Sequence, residues 1–528
     1  MQILKQHLFL DTIGCRRGRI LVEFDKALLS EAGRKIVDDL IHEWDFPAKY
    51  GQTNTEALLV PYGLRIEPEK PVIADPVFQD DPKPWEKYTD GNGVSALYDP
   101  DDKLYKMWYQ ARQLSPEYGI ELTNGRGEPV ENTLRVCYAY SEDGANWVRP
   151  ELPYVLCNGQ KTNMLDLELQ GGTMFFDGMH RETGKFKLFD AWYFADRTDL
   201  TPHQRVFTRL RVSDNGLDWR EVETEPLNYF FDTQNIMDYD EGLGKYVAYM
   251  RDHYNGRAIS RCESDDPTRM PKPQTLLHPD NFDAPDVDYY TNGFTFYPHD
   301  KSIRLLFPSI YSQQTDQTTV RMGVSRNGRN FQWVSRGDII GNTFPNGDFA
   351  GQMYVCPGML AIGDKVAMAV WTTLTRHDEY RIISAYSNPP DEEHRIRFAY
   401  WDRDRLAGIT SGQSTGEIYD TVSISGKNPR LQLNMRSQGM GRVRVEVLVG
   451  QCFEPASGFG LGDSNGLCGD LQRSDYQWKE HTSLAVFDGK DITLRFHIES
   501  AKLFGYRLIC DETGSGQDTQ TGRIESSL

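Results

Sequence analysis

What the chain has little of narrows its class before any motif is read. Its 528 residues include no apolar run approaching the length that crosses a bilayer. The first ten residues hold only a brief apolar stretch, broken by Lys5, Gln6 and His7, which lacks the apolar segment of a secretory signal. This reads as cytoplasmic for the sequence as it stands, and as secreted if the N-terminus was trimmed. Positive charge is in deficit: 58 Lys and Arg face 77 Asp and Glu, a formal net charge of −19. Nucleic acid and anionic membrane both require a basic footprint, so neither is an expected partner. Cysteine is sparse, and Cys15, Cys137, Cys157, Cys262, Cys356, Cys452, Cys468 and Cys510 lack the close pairing of a zinc knuckle or redox motif. They read as mostly free, buried thiols. A helix is expected at 25–43, where Ala27, Leu28, Leu29, Ile36, Val37, Leu40 and Ile41 make an amphipathic pattern. His180, His253, His299 and His377 show no i, i+4 pairing, so no metal ligand is assigned. No cofactor is required, although a structural Ca in the channel described below stays open.

What is there is β-rich. Hydrophobic residues make up 39% and aromatics 12%, enough for a large core and weighted toward strands. Five units repeat an apolar strand, an acidic or glycine turn and an aromatic-rich strand: 94–109, 173–193, 235–251, 293–311 and 358–371. Behind several comes a Ser-x-Asp/Asn-Gly-x-x-aromatic turn, as in 141–147, 213–219 and 325–331. Asp or Asn caps this turn, glycine takes its positive φ, and the aromatic packs beneath the neighbouring strand. Two hairpins per unit make a four-stranded sheet repeated about an axis, so the expected fold class is all-β, a five-bladed β-propeller over 61–405. A six-bladed count is the competing one. A Gly/Ser/Thr stretch at 406–417 reads as a linker, 418–511 as a C-terminal β-sandwich of jelly-roll type, and 512–528 as a polar tail. Residues 1–60 read as an N-terminal extension whose short helical segment packs on the propeller.

In a propeller the innermost strands line one channel, so residues entering them converge on one pocket. Those entrances carry Trp85, Glu86, Asp90 and Asn92; Asp232 and Asn235; Asp288 and Tyr290; and Asp348 and Gln352. Glycosidic cleavage needs one carboxyl to protonate the leaving oxygen and another to act as nucleophile or to activate water. Asp90, Asp232 and Asp288 are the catalytic candidates. Trp85 and Tyr290 flank acids and suit stacking on a sugar face. Arg261 and Glu263 alternate with Ile259 and Cys262 on one strand, and His377 follows the last hairpin; all three complete the candidate substrate-binding set.

With these residues in place, the chain resembles the five-bladed propeller glycoside hydrolases, the group containing arabinanases, xylosidases and the invertase-like fructosidases. The resemblance covers the architecture of 61–405 and the added C-terminal domain. It implies a catalytic trio of Asp, Asp and Glu at the first three inner strands. Asp90, in Thr89-Asp90-Gly91-Asn92, matches the first position, and Asp232 stands near the third. The second inner strand opens instead on Gly171 and Gly172, and the invertase-like Arg-Asp-Pro is missing. The leading expectation is a glycoside hydrolase acting on a carbohydrate substrate, with homo-oligomer formation left open. Alternatives are a glycoside phosphorylase on the same scaffold, with Arg251, Arg261 and His377 holding phosphate, and a noncatalytic carbohydrate-binding or interaction propeller.

Overall fold

The structure, a computed structural model, describes residues 1–11, 15–17, 30–32, 63–78, 83–86, 88–112, 120–130, 135–169, 171–193, 199, 206–225, 227–228, 232–254, 256–344, 346–379, 394–450 and 454–511. Among these the elements are strands and three short 3-10 turns, and no helix is long and apolar enough to cross a membrane. The chain divides into two compact units, 70–403 on the one hand and 1–69 with 404–528 on the other.

The unit 70–403 is built from antiparallel sheets taken in chain order. Sheet 1 holds Tyr88–Asp99, Leu104–Arg112, Arg135–Ser141 and Met164–Glu168. Sheet 2 holds Thr173–Phe176, Phe186–Tyr193, Val206–Ser213 and Arg220–Val222, and sheet 3 holds Ile236–Asp240, Lys245–His253, Arg257–Ser264 and Gln274–Leu277. Sheet 4 holds Thr295–Tyr297, Asp300–Leu306, Gly323–Ser325 and Gln332–Trp333. In sheet 5, Gln352–Val355 and Leu360–Ile362 both pair with Lys365–Thr373, followed by His394–Asp402 and then Val72–Ile73, a strand from the start of the unit. Two further three-stranded sheets join Leu122–Asn124, Leu152–Cys157 and Gln160–Thr162, and Val287–Tyr289, Ser309–Ser312 and Gln317–Val320.

The leading strands are tied in a closed cycle. Met174 N donates to Ser95 Oγ (3.0 Å), Thr173 Oγ1 to Asn235 O (2.9 Å), Asn292 Nδ2 to Gln234 O (2.7 Å) and Met359 N to Thr295 Oγ1 (3.0 Å). Ala96 N donates to Pro357 O at 3.4 Å, returning to sheet 1. The period-2 alternation of each strand serves both neighbours. In Leu104–Arg112, Met107 and Tyr109 pack with Leu360 and Ala367 of sheet 5, whereas Trp108 packs with Met174 and Phe186 of sheet 2.

The acidic hairpin turns of the repeat carry buried anions that reach the next sheet. Asp99 pairs with Lys106 (2.7 Å) and with Lys185 of sheet 2 (3.1 Å). Asp177 pairs with Lys187 (2.7 Å) and accepts from Tyr246 Oη of sheet 3 (2.5 Å). Asp240 meets the Arg304 guanidinium of sheet 4. In sheet 3, burial pushes the carboxyl of Asp238 up from 3.8 to about 7. The folded state then binds the extra proton, so this group costs stability as pH rises from about 4 to about 7. Asp238→Asn is expected to flatten that decline, read as urea midpoints measured across pH 5 to 8.

The Ser-x-Asp/Asn-Gly turns close locally as expected. Ser141, Ser213 and Ser325 Oγ accept from Gly144, Gly216 and Gly328 N at 2.9, 2.8 and 2.9 Å. The backbone N–H of Asn146, with that of Ala145, holds the Asp143 carboxyl well below the usual range. The turns also join sheets: Trp108 Nε1 donates to Gly216 O (2.7 Å) and Tyr249 Oη to Gly328 O (2.8 Å). A Cβ on Gly216 (φ +80) would lie 2.6 Å from Trp108 Cζ2, whereas Gly127 shares that φ with nothing within 4 Å. Gly216→Ala is expected to cost about 1–3 kcal/mol by denaturant unfolding, more than Gly127→Ala, which isolates the backbone share.

The second unit corrects the expected boundaries. Gln2–Leu8 pairs with Gly505–Cys510, and Arg65–Pro68 pairs with Ala407–Thr410, so the described N-terminal segments group with the C-terminal chain. The stretch 406–417, expected as a linker, contains the buried strand Ala407–Thr410 and the start of Thr415–Ser423. Its small residues fit between crowded strands: a Cβ on Gly408 would lie 2.8 Å from Leu503 O. Within 418–511 the chain forms two long strands, Lys427–Val449 and Asp491–Asp511. A 3-10 turn, Ala485–Phe487, lies between them. Tyr476 and Trp478 are core residues of this unit. Most of the helix expected at 25–43 and the tail 512–528 lie outside the described residues. Cys137, Cys157, Cys262, Cys356 and Cys510 are free and buried, and Cys468 is free and exposed.

Candidate functional site

Sheet 3 supplies the centre of the site. Asp232 lies just before Ile236–Asp240 with its side chain 46% exposed, and pairs at 3.0 Å with Arg251, whose side chain is 0% exposed. Arg251 comes from the adjacent strand, donates to Tyr290 O and lies over the Tyr290 ring at 4.4 Å. Arg257 stands at 4.9 Å from the same ring. Thus Tyr290 is flanked by two guanidiniums. Burial pushes its phenol up, and pushes the His253 imidazole down with help from Arg251.

An aromatic row runs from there toward sheet 1. Tyr290 stacks on Tyr354 (5.4 Å between centroids) and Tyr354 on Trp371 (5.1 Å). Trp371 Nε1 donates to Thr89 Oγ1 (3.0 Å), and the backbone at Gly91 is so close that an added Cβ would lie 2.6 Å from the indole. The row therefore joins the strand positions of Asp90 to Asp232. The side chains of Asp90 and Asn92 lie outside the described residues. Beyond Trp371, a small recess with a cavity volume of about 30 Å³ is lined by Phe78, Glu86, Thr89, Tyr109, His394 and Arg395.

The second entrance has no acid for a packing reason. Gly171 holds φ +61, and a Cβ there would lie 2.6 Å from Asp232 O; one on Gly172 would lie 2.4 Å from Phe189 O. The chain at this entrance packs directly against the loop that carries Asp232.

Other sequence candidates fall in different places. Asp288 belongs to Val287–Tyr289 in a separate small sheet, upstream of the leading strand of sheet 4. It is 3% exposed, and its oxygens take Arg257 N (3.0 Å), Arg257 Nη1 (2.9 Å) and Gln313 Nε2 (3.2 Å). This carboxylate anchors Arg257. Arg261 and Glu263 lie on the third strand of sheet 3, paired with each other at 2.8 Å; Glu263 also meets Arg329, away from Asp232's strand. Their alternation faces the neighbouring sheet rather than a channel. Asn235 is 1% exposed and donates N–H to Gly171 O, a framework position. Asp348 pairs with Arg397 at 2.8 Å. Gln352 Oε1 accepts from Tyr354 Oη (2.8 Å), which holds one ring of the row. Trp85 donates to Asn163 Oδ1 (2.8 Å), and buried Glu86 is engaged by Tyr109 and Arg149.

His377 is buried beneath Tyr290, with Nε2 at 2.8 Å from Tyr290 Oη, and desolvation pushes its imidazole down. Arg257, Trp371 and Tyr311 were not picked out from the sequence. The only available signal was the alternation in Arg257–Ser264 that drew notice to Arg261, and the register assigns the two arginines to different surroundings.

No protein-family model matches the chain. No curated protein matches it. Among solved structures it aligns with an N-acetylgalactosamine deacetylase from F. plautii (14% identity, 65% of this chain and 97% of that one, TM-score 0.40). It also aligns with the catalytic domain of a Coprinopsis cinerea GH62 alpha-L-arabinofuranosidase (7% identity, 63% and 97%, TM-score 0.39). A glycosyl hydrolase from Bacteroides ovatus gives 14% identity over 65% of this chain and 95% of that one, with a TM-score of 0.39.

Proposed function

We propose that the chain is a glycoside hydrolase that cleaves an oligosaccharide or glycoside by carboxylate chemistry, its five sheets forming a five-bladed β-propeller and 404–511 a β-sandwich. The observation that carries this reading is the half-exposed carboxylate of Asp232, ion-paired to the fully buried Arg251 at one end of an aromatic row. The strand position of Asp90 stands at the row's other end. A carboxylate held by a guanidinium serves as nucleophile or base, and Asp90 is assigned as its partner in protonating the leaving oxygen. Asp288 positions Arg257 against Tyr290.

The test is a panel of furanosides, pyranosides and oligosaccharides with products resolved by chromatography, run for the wild type and for Asp232→Ala and Asp90→Ala. Turnover by the wild type that both variants lose supports the assignment; unchanged turnover in both removes it.

A second reading, glycoside phosphorolysis, is favoured by Arg251 paired with Asp232, by Arg257 over the same Tyr290 ring, and by Arg251 Nε, which is buried with no hydrogen-bond partner among the described residues. Turnover that requires inorganic phosphate and releases a sugar phosphate selects it. Binding of glycans without any product selects a noncatalytic propeller.

A further inference from the structure

In the unit formed by 1–69 and 404–528, one sheet holds a buried histidine between two acids. Asp491–Asp511 pairs with Thr415–Ser423 on one side and with Lys427–Val449 on the other, which sets His497 opposite Glu417 and Arg444, and Arg495 opposite Tyr419 and Glu446. Period-2 alternation puts these side chains on the face away from the core residues Ile418, Val445 and Phe496. His497 is nevertheless only 7% exposed. Its Nδ1 lies 2.8 Å from Glu417 Oε1, and its Nε2 lies 3.0 Å from Glu446 Oε2. A neutral imidazole carries one N–H, so it donates to one of these acids and not to both.

A third group gives the ring a second way to be satisfied. Arg495 Nε, a donor, lies 2.8 Å from the same His497 Nε2 and 3.0 Å from Glu446 Oε2. Nε2 therefore stands between a carboxylate that accepts a proton and an N–H that offers one. The other charged and titratable groups on this face are committed elsewhere. Tyr419 Oη donates to Glu417 Oε2 (3.2 Å), and Arg442 and Arg444 are both paired with Glu499. Glu446 Oε1 accepts Leu461 N (2.7 Å) from a loop in which Asp463 accepts from Gly460 N (3.3 Å).

We propose that His497 is a proton-operated clamp across these three strands. With both ring nitrogens protonated, it donates to Glu417 and Glu446 at once and ties Thr415–Ser423 to Lys427–Val449 through Asp491–Asp511. When Nε2 gives its proton to solvent, that nitrogen accepts from Arg495 Nε–H, Nδ1–H keeps Glu417, and the tie to Glu446 is lost. Burial opposes the charged ring, but the hydrogen bonds to Glu417 and Glu446 outweigh burial and the Arg495 charge, so the imidazole is raised above its usual 6.5. A folded-state value above the unfolded one makes the clamp's stability complete below about pH 6.5 and loses it as pH rises through the folded value. This inference does not depend on whether the chain cleaves glycosides.

The test follows His497 itself. Exchange of its ring C2–H for deuterium in the full chain, read by mass spectrometry of the peptide that carries it across pH 5 to 9, is expected to give a midpoint above 6.5. In Glu417→Gln, which alters a side chain that is 23% exposed, the proton affinity of the ring is expected to fall about tenfold or more. Urea titrations read by amide exchange in peptides from 491–511 supply the stability arm. Between pH 6.5 and 8.5 the unfolding constant of the wild type is expected to rise about threefold or more beyond that of His497→Gln. The proposal is overturned by a midpoint at or below 6.5, by a midpoint that Glu417→Gln leaves unchanged, or by equal pH dependence in the wild type and His497→Gln.

Discussion

Asp232→Asn is expected to lower kcat for glycoside cleavage on the order of 10³-fold, a barrier increase of about 4 kcal/mol, while the protein stays folded. The two effects separate because of where the side chain sits. Its carboxylate is 46% exposed and joins no apolar core, so Asn fills the same space and still offers an oxygen to Arg251. Arg251 also keeps its bond to Tyr290 O and its place over the Tyr290 ring. Loss of the countercharge to a buried guanidinium costs about 1–3 kcal/mol, visible as a lower urea midpoint. What Asn cannot supply is a nucleophilic or basic oxygen. A variant that unfolds at nearly the wild-type midpoint yet keeps its kcat would exclude Asp232 from the chemistry.

Asp240→Ala is expected to produce the largest stability loss, about 3–5 kcal/mol, because it strands a buried cation. Arg304, 3% exposed, places Nε at 2.6 Å and Nη2 at 2.5 Å from the two Asp240 oxygens. Its Nη1 donates to Ser302 O (3.0 Å) and Arg326 O (2.7 Å), so the guanidinium is held in place and cannot turn to water when the acid is removed. The double variant Asp240→Ala with Arg304→Met removes both charges and is expected to lose less than the single one, since no unpaired buried ion remains. Urea midpoints of the two singles and the double decide it. A double variant worse than Asp240→Ala would mean that the arginine contributes through packing alone.

Much of the architecture was legible in the chain. Period-2 alternation and glycine turns are local properties: three of the five repeat units coincide with the first two strands of sheets 1, 2 and 3, and 358–371 covers the hairpin of Leu360–Ile362 and Lys365–Thr373 in sheet 5. The fourth unit departs: 293–311 runs through the hairpin of sheet 4 and into Ser309–Ser312, which pairs in a different sheet. The mostly apolar stretch from Leu305 to Tyr311 carries no mark of that exchange of partners. The same limit affected 406–417, where glycine and serine signalled a linker but in fact admit close strand packing.

The site was legible as a set of positions and less so as a set of roles. Asp232, Tyr290 and His377 were picked out by sequence, and the structure brings them together around Arg251. Asp288 had the same appearance as Asp232, an acid ahead of an apolar strand, yet Arg257 and Gln313 take up its oxygens. The absence of an acid at Gly171 was visible at once, but its cause, the Asp232 carbonyl in the space of a side chain, belongs to another sheet.

The sequence by itself determined the β-rich class, the repeat, the turn chemistry and the acidic character, because each depends on neighbours a few residues apart. Tertiary structure alone decided which carboxylates stay open to solvent and which are consumed by arginines, and which segments share a unit. Those outcomes depend on strand register and on contacts between residues far apart in the chain, where a shift of one position exchanges a buried ion pair for an exposed acid.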